Sequence, residues 1–193
     1  MLQNHAIAVV CSSNQNRSME AHGLLSKKGY SVKSYGTGSV VKLPGRAAHQ
    51  PNVYQFGTTY EDMYQDLMKK DPHLYTQNGI LNMLDRNRRI KACPEQFQKA
   101  KEEFDIIFTV EERIYDAVLE ELESRGTASY RPVQVINLEV KDNHEEATLG
   151  AFLLLKLCET MSRVEDLENE IEDIIQDFEL HNGRTLLHTV AFY

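Results

Sequence analysis

The sequence predicts a three-layer α/β fold, a central and mostly parallel sheet flanked by helices, and three features carry that expectation. Short, continuously apolar and β-branched runs recur along the chain. Stretches of helical composition separate them, and uninterrupted apolar strands of this kind belong to a parallel sheet covered on both faces. Towards the C-terminus, apolar residues recur at steps of three and four, the period of a helix with one buried face.

Residues 6–10, Ala-Ile-Ala-Val-Val, read as a buried strand, and residues 18–28 as a helix that stops at Gly29. Residues 31–35 read as a second strand. Residues 104–110, Phe-Asp-Ile-Ile-Phe-Thr-Val, read as a third, followed by a helix over 112–124. Residues 133–138 form a fourth strand. One long helix is then expected from about 145 to 178, with Leu149, Phe152, Leu153, Leu157, Met161, Val164, Leu167, Ile171, Ile174 and Phe178 on its apolar face. Residues 185–193 complete the series as a last strand. Residues 36–90 are irregular and rich in Gly, Pro and polar aromatic residues. They are expected to form an insertion after the second strand, with short helices near 59–68 and 74–85, inside a single domain spanning 1–193.

Composition excludes several roles. The net charge of −8 gives no basic surface for direct nucleic-acid binding or for an anionic membrane. No stretch approaches the roughly 20 apolar residues that span a bilayer. The first residues lack the basic region of a secretory signal. Three cysteines, at 11, 93 and 158, are too few and too odd a number for a disulfide framework. Reduced thiols in an intracellular compartment are expected, so a cysteine that matters here is reactive rather than structural.

The chemistry concentrates in Val9-Val10-Cys11-Ser12-Ser13-Asn14-Gln15-Asn16-Arg17-Ser18, where a strand gives way to a helix. Five residues between Cys11 and Arg17 let the backbone of Ser12, Ser13, Asn14, Gln15 and Asn16 curl into a ring of N–H groups at a helix N-terminus. Such a ring binds a phosphate dianion. The same field favours the thiolate that Cys11 needs to act as a nucleophile. Arg17 can fork onto two phosphate oxygens, as a lysine could not. Ser18 can donate a hydrogen bond towards the sulfur. Asn14 tolerates a left-handed backbone and can brace the loop with its side chain. The plainer alternative makes Cys11 a small buried hydrophobe at a strand end. The polar loop, the arginine, Ser18 and the helix together favour the catalytic reading.

A phosphatase also needs a proton donor for the leaving oxygen. Asp142 lies in the loop after the fourth strand. Such loops gather at the carboxyl edge of a parallel sheet, where Cys11 also lies. Asp142 equally suits a helix cap ahead of His144, Glu145 and Glu146. Glu139 competes for the acid's role. The residues themselves leave this choice open.

Cys11-Ser-Ser-Asn-Gln-Asn-Arg-Ser-Met-Glu-Ala-His22 and Asp142-Asn-His-Glu-Glu-Ala-Thr-Leu-Gly-Ala-Phe152 resemble the RNA polymerase II C-terminal-domain phosphatases of the Ssu72 type. So do Gly36-Thr-Gly38, Val41-Lys-Leu-Pro-Gly45, Leu74-Tyr-Thr-Gln-Asn-Gly-Ile80, Met83-Leu-Asp-Arg-Asn87 and Leu187-His-Thr-Val-Ala-Phe-Tyr193. The resemblance runs in order along essentially the whole chain. It implies the low-molecular-weight tyrosine phosphatase fold with added elements. It implies removal of phosphate from the fifth-position serine of the polymerase heptad, with the following prolyl bond cis, and a reaction without metal or other cofactor. It further implies association with the symplekin scaffold of the cleavage and polyadenylation machinery. A nuclear location follows, with presence in the cytoplasm left open. On matching positions, Cys11 is the nucleophile, Arg17 the phosphate clamp and Asp142 the general acid. Lys42, Leu43, Pro44 and Met83 fall in the substrate groove, whose apolar walls suit proline. Val110, where a cysteine is expected, and Lys141, where glutamine is typical, depart from the pattern and imply a diverged paralogue.

Three rival readings remain. A small tyrosine phosphatase commonly has proline after its acid, where this chain has Asn143. An arsenate reductase of the same fold needs closely paired resolving cysteines, which Cys93 and Cys158 do not form in sequence. A catalytically weak paralogue could serve as a phosphopeptide- or scaffold-binding module.

Overall fold

The computed structural model describes residues 5–193. Its core is a five-stranded sheet built from β1 (Ala6–Cys11), β2 (Ser31–Gly36), β5 (Ile106–Thr109), β6 (Pro132–Leu138) and β7 (Leu186–Phe192). The strands lie in the order β2-β1-β5-β6-β7. The first four are mutually parallel, and β7 runs antiparallel to β6, with Val135 opposite Thr189. β1 lies between β2 and β5, and every residue from Ile7 to Cys11 is buried, which is why its sequence is apolar without alternation.

α1 (Arg17–Lys27) leaves directly from the loop after β1. α5 (Glu112–Ser124) buries Ile114, Tyr115, Val118 and Leu122, spaced to form one face, against β5, β6 and β7. α6 (His144–Met161) packs on α1, and α7 (Leu167–Asn182) packs on α6. α6 approaches closely because its inner face is small: Ala147, Gly150 and Ala151 are buried. A Cβ at Gly150 would meet Val140 Cγ2 at 2.7 Å. The segment after β6 is thereby pressed between α6 and the sheet edge.

The insertion forms a second layer of core. An antiparallel hairpin, β3 (Val41–Leu43) and β4 (Asn52–Tyr54), precedes α2 (Tyr60–Lys70), α3 (Pro72–Gln77) and α4 (Ile80–Ile90). Met19 of α1 packs there with Val41, Leu43, Tyr60, Met63, Leu67 and Leu84. The insertion is therefore fastened to the helix that begins at the phosphate loop.

Several expected boundaries differ. The strand of 6–10 extends to Cys11, and that of 104–110 contracts to Ile106–Thr109. The insertion has three helices in place of two. Asp71 caps α3 by accepting from the Leu74 N–H, Pro72 occupies its first turn, and Gly79, with φ of 79°, opens α4. The long helix of 145–178 is two helices. α6 stops at Ser162, and Asp166 starts α7 by accepting from the Asn169 N–H. Leu149 and Phe152, expected on its buried face, are 44% and 56% exposed. The small residues at 147, 150 and 151 turn the buried face away from them.

Candidate active site

Cys11 closes β1 and Arg17 opens α1, so the loop between them sits at the carboxyl edge of an inner strand of the sheet. Asn14 adopts a left-handed backbone with φ of 54°. That turn brings the Asn14 N–H to 3.2 Å from Cys11 Sγ, and Ser18 Oγ lies 3.0 Å from the same sulfur. Asn14 is fully buried with its hydrogen-bonding groups engaged. Its Nδ2 donates to Ser18 Oγ at 2.9 Å and to Ser34 Oγ at 3.1 Å. Its Oδ1 accepts from the Glu95 N–H at 3.0 Å, and its carbonyl accepts from the Tyr60 hydroxyl at 2.7 Å. Four other segments thus hold one residue in a conformation that costs a non-glycine residue energy.

β2 supports the loop from behind. The Thr37 N–H donates to the Cys11 carbonyl at 3.0 Å and the Gly38 N–H to the Ser12 carbonyl at 2.9 Å. A Cβ on Gly36 would meet Ser12 O at 2.5 Å, so only glycine lets the strand end approach so closely. His22 Nδ1 lies 2.8 Å from Ser34 Oγ. Burial, with help from the Lys91 cation and against the pull of Glu95, pushes this imidazole down to about 4, so it is neutral at physiological pH.

The Arg17 guanidinium is 4% exposed. Its Nη1 donates to Glu111 Oε2 at 3.0 Å and to the Val140 carbonyl at 2.9 Å. The Val140 N–H in turn donates to the Val110 carbonyl at 2.9 Å, tying the segment after β6 to the one after β5. Arg17 is thus aimed by two loops before any anion arrives. Asp142 sits across the opening, with its Oδ1 accepting from Asn16 Nδ2 at 3.1 Å and lying 3.7 Å from Arg17 Nε. It does not cap α6. Asn143 does, accepting from the Glu146 N–H at 2.9 Å. Glu139 points elsewhere, accepting from the Glu112 N–H at 3.1 Å at the start of α5.

These groups share a cavity of about 540 Å³. Cys11, Ser12, Ser13, Gln15, Asn16, Arg17 and Asp142 line its deep end. Lys42, Leu43 and Pro44 form one wall, and Asn78, Gly79, Ile80, Asn82 and Met83, at and just before the start of α4, form the other. Asn14 and Ser18 lie beneath, holding the loop, and are not among the lining residues. Of the two departures, Val110 is buried in the core and Lys141 is exposed, and neither lines the cavity. Among the described residues, no group of three or more His, Cys, Asp or Glu side chains is placed to hold a metal ion, and no helix is long and apolar enough to cross a membrane.

Sequence reasoning did not single out Glu111, Ser34, Tyr60, Glu20 or Arg86 as parts of the site. Glu111 could have been found, because it follows a parallel strand at the edge that carries Cys11. The others come from β2, the insertion and the far side of α1, and carry no local signature. Of the remaining cysteines, Cys158 lies in the core, where burial pushes its thiol up to about 12. Buried there, it is poorly suited to a disulfide relay.

A thiol held by a backbone amide and a serine hydroxyl, near a buried arginine across a strand–loop–helix junction, is the arrangement of the cysteine-dependent phosphatases. Within that class the chain belongs to the family described as Ssu72-like protein, whose model matches residues 5–193. The human RNA polymerase II C-terminal domain phosphatase SSU72 is 62% identical over 187 residues, covering 97% of this chain and 96% of the human one. The Caenorhabditis elegans phosphatase ssup-72 is 55% identical over 188 residues, covering 96% of this chain and 95% of its own. A solved Drosophila melanogaster Ssu72 superimposes with a TM-score of 0.97; it is bound to symplekin and to a cis peptidomimetic of the polymerase C-terminal domain, phosphorylated on the fifth-position serine. It has 56% identity and covers 99% of this chain and 100% of its own.

Proposed function

We infer that this protein is a serine phosphatase of the RNA polymerase II C-terminal domain, acting on phosphoserine followed by proline through a cysteinyl-phosphate intermediate. The observation that carries the reading is the pairing of Cys11 Sγ, held by Asn14 and Ser18, with the pre-aimed Arg17 at the bottom of a groove. In the first step the Cys11 thiolate attacks phosphorus while Asp142 gives its proton to the departing serine oxygen. Arg17 and the loop amides take up the charge that spreads over the equatorial oxygens. In the second step the Asp142 carboxylate accepts a proton from water as that water attacks phosphorus, the S–P bond breaks and inorganic phosphate leaves. Leu43, Pro44 and Met83 receive the proline, with Lys42 at the rim. A symplekin-type scaffold is the expected partner and the nucleus the site of action, in transcription and mRNA 3′-end processing.

One set of assays tests the reading. Cys11→Ser abolishes turnover and keeps inorganic phosphate affinity, because a hydroxyl in this loop retains its proton. Asp142→Asn slows a phosphoserine-proline peptide by about 10²–10⁴, the usual worth of a positioned acid, and an activated aryl phosphate far less. Near-parental turnover by the serine variant overturns the nucleophile. Equal slowing of both substrates by Asp142→Asn removes the acid's role.

A further inference from the structure

α4 does two things at once. Asn82 and Met83, on its first turn, line the groove. One turn later, Arg86 and Asn87 reach the phosphate loop. The Gln15 carbonyl accepts from Arg86 Nη2 at 2.9 Å and from Asn87 Nδ2 at 2.8 Å. Arg86 Nη2 also lies 3.5 Å from the Asn16 carbonyl. Asn87 is fully buried, and its Oδ1 accepts from Arg86 Nε at 3.1 Å and Nη2 at 2.9 Å. Arg86 Nη1 pairs with Glu20 of α1. A mostly buried cation, itself at the cavity, and a buried amide, both from the insertion, are therefore spent on two loop carbonyls.

The peptide unit gives this arrangement its meaning. In a planar trans peptide the C=O and the following N–H point in opposite directions. Two donors on the Gln15 carbonyl pull it towards α4, so the Asn16 N–H is directed away from α4, into the loop. A flip of that unit would present a carbonyl to the phosphate, exchanging attraction for repulsion at the point where charge develops. Loops of this kind, with one residue already left-handed at Asn14, have few backbone bonds of their own to prevent it. The Arg86 cation adds a second effect: burial works against its charge, Glu20 supports it, and the neighbouring Cys11 sulfur stabilises it in turn.

We propose that Arg86 and Asn87 are positioning residues that lock the Gln15–Asn16 peptide plane with its N–H turned towards the bound phosphate, so that the groove-wall helix α4 holds the phosphate loop in its binding form. The proposal rests on the phosphatase reading above. It assigns the insertion a part in catalysis beyond shaping the groove.

The test compares the parent with Arg86→Met, Arg86→Lys and Asn87→Leu, each checked for folding by circular dichroism and thermal melting. The probes are inorganic phosphate as a competitive inhibitor, p-nitrophenyl phosphate turnover, and alkylation of Cys11 by iodoacetamide near neutral pH. Losing loop donors of this kind is expected to lower kcat/KM by about 10²-fold in Arg86→Met and Asn87→Leu, with inhibition by phosphate weakened about tenfold or more. Arg86→Lys keeps the charge without the fork. It is expected to restore the alkylation rate that Arg86→Met loses, and not the phosphate affinity. A folded Arg86→Met or Asn87→Leu that is inhibited by phosphate within twofold of the parent overturns the proposal. If neither folds, Arg86→Lys decides, and parental phosphate affinity there overturns it equally. A parent that fails to turn over the aryl phosphate or to bind phosphate overturns the phosphatase reading itself, whereas the ratios of variant to parent speak only to α4.

Discussion

Arg17 is the residue whose surroundings say most about how the site works. It is nearly inaccessible, and Glu111 and the Val140 carbonyl hold it before substrate binds. A lysine placed there could satisfy one of these acceptors or the phosphate, and could not fork onto two phosphate oxygens. We predict that Arg17→Lys lowers kcat/KM for an aryl phosphate by about 10² or more, with both binding and rate affected. A value within a few fold of the parent would show that phosphate is held elsewhere. His22 offers a pH-dependent test. Folding depresses its pKa from the ordinary imidazole value to about 4, so the folded state favours the neutral ring. Its contribution to stability is therefore complete above pH 6.5 and is lost as the pH falls towards 4, where the unfolded chain takes up a proton that the folded one resists. The melting temperature of the parent is expected to fall more steeply from about pH 6.5 to about pH 5 than that of His22→Gln. Identical slopes would contradict the buried neutral imidazole.

The elements were legible in proportion to how local their causes are. The inner parallel strands announce themselves because burial on both faces favours an apolar run, and β1, buried from Ile7 to Cys11, is the clearest case, whereas the edge strand β2 keeps Ser31 and Lys33 exposed. The phosphate loop was legible residue by residue, since spacing, polarity and the left-handed asparagine are properties of consecutive positions. The β3–β4 hairpin was not, because three-residue strands have too little periodicity to register. The break between α6 and α7 was hidden by Val164 and Leu167, which keep the apolar rhythm going across a turn set by the Asp166 cap. The groove walls, drawn from β3 and α4, were placed through resemblance, and their convergence on Cys11 depends on how the insertion packs on Met19. A groove that admits proline in one isomer has a kinetic signature. Roughly 10–30% of prolyl bonds in a free peptide are cis, and their exchange takes tens of seconds or longer. At high enzyme concentration a phosphoserine-proline peptide is expected to be consumed in a fast and a slow phase, with a prolyl isomerase abolishing the slow one. A single phase insensitive to isomerase would mean that these walls accept both isomers.

Across the whole molecule, the site is assembled from distant stretches of chain. The phosphate loop of residues 12–16 is braced by Ser34 from β2, Tyr60 from α2, Arg86 and Asn87 from α4, and the Glu95 N–H. Glu111 and Val140 then fix the arginine that follows the loop. Cys11 stands near the start of the chain, and the supports of the site extend as far as Val140. Cys158, by contrast, is sealed in the core with its thiol pushed up to about 12. Peroxide is therefore expected to modify Cys11 and spare Cys158, which peptide mapping after a short exposure would check. Preferential oxidation of Cys158 would mean that α6 opens readily.

The position of β1 between β2 and β5 also has a consequence in time. A strand made first, whose partner β5 begins about one hundred residues later, waits on one side until that partner exists. Closing so long a loop is slow, because the chain must give up its freedom before the pairing rewards it. During synthesis Cys11 leaves the ribosome well before β5, β6 and the segment bearing Asp142, so the site proposed above is expected to form only after they have followed it. In refolding experiments the ability to bind orthovanadate should accordingly appear with the last phase, after most helical signal has returned. Vanadate binding that preceded β-sheet formation would show that the loop can take its binding shape without the supports that arrive late.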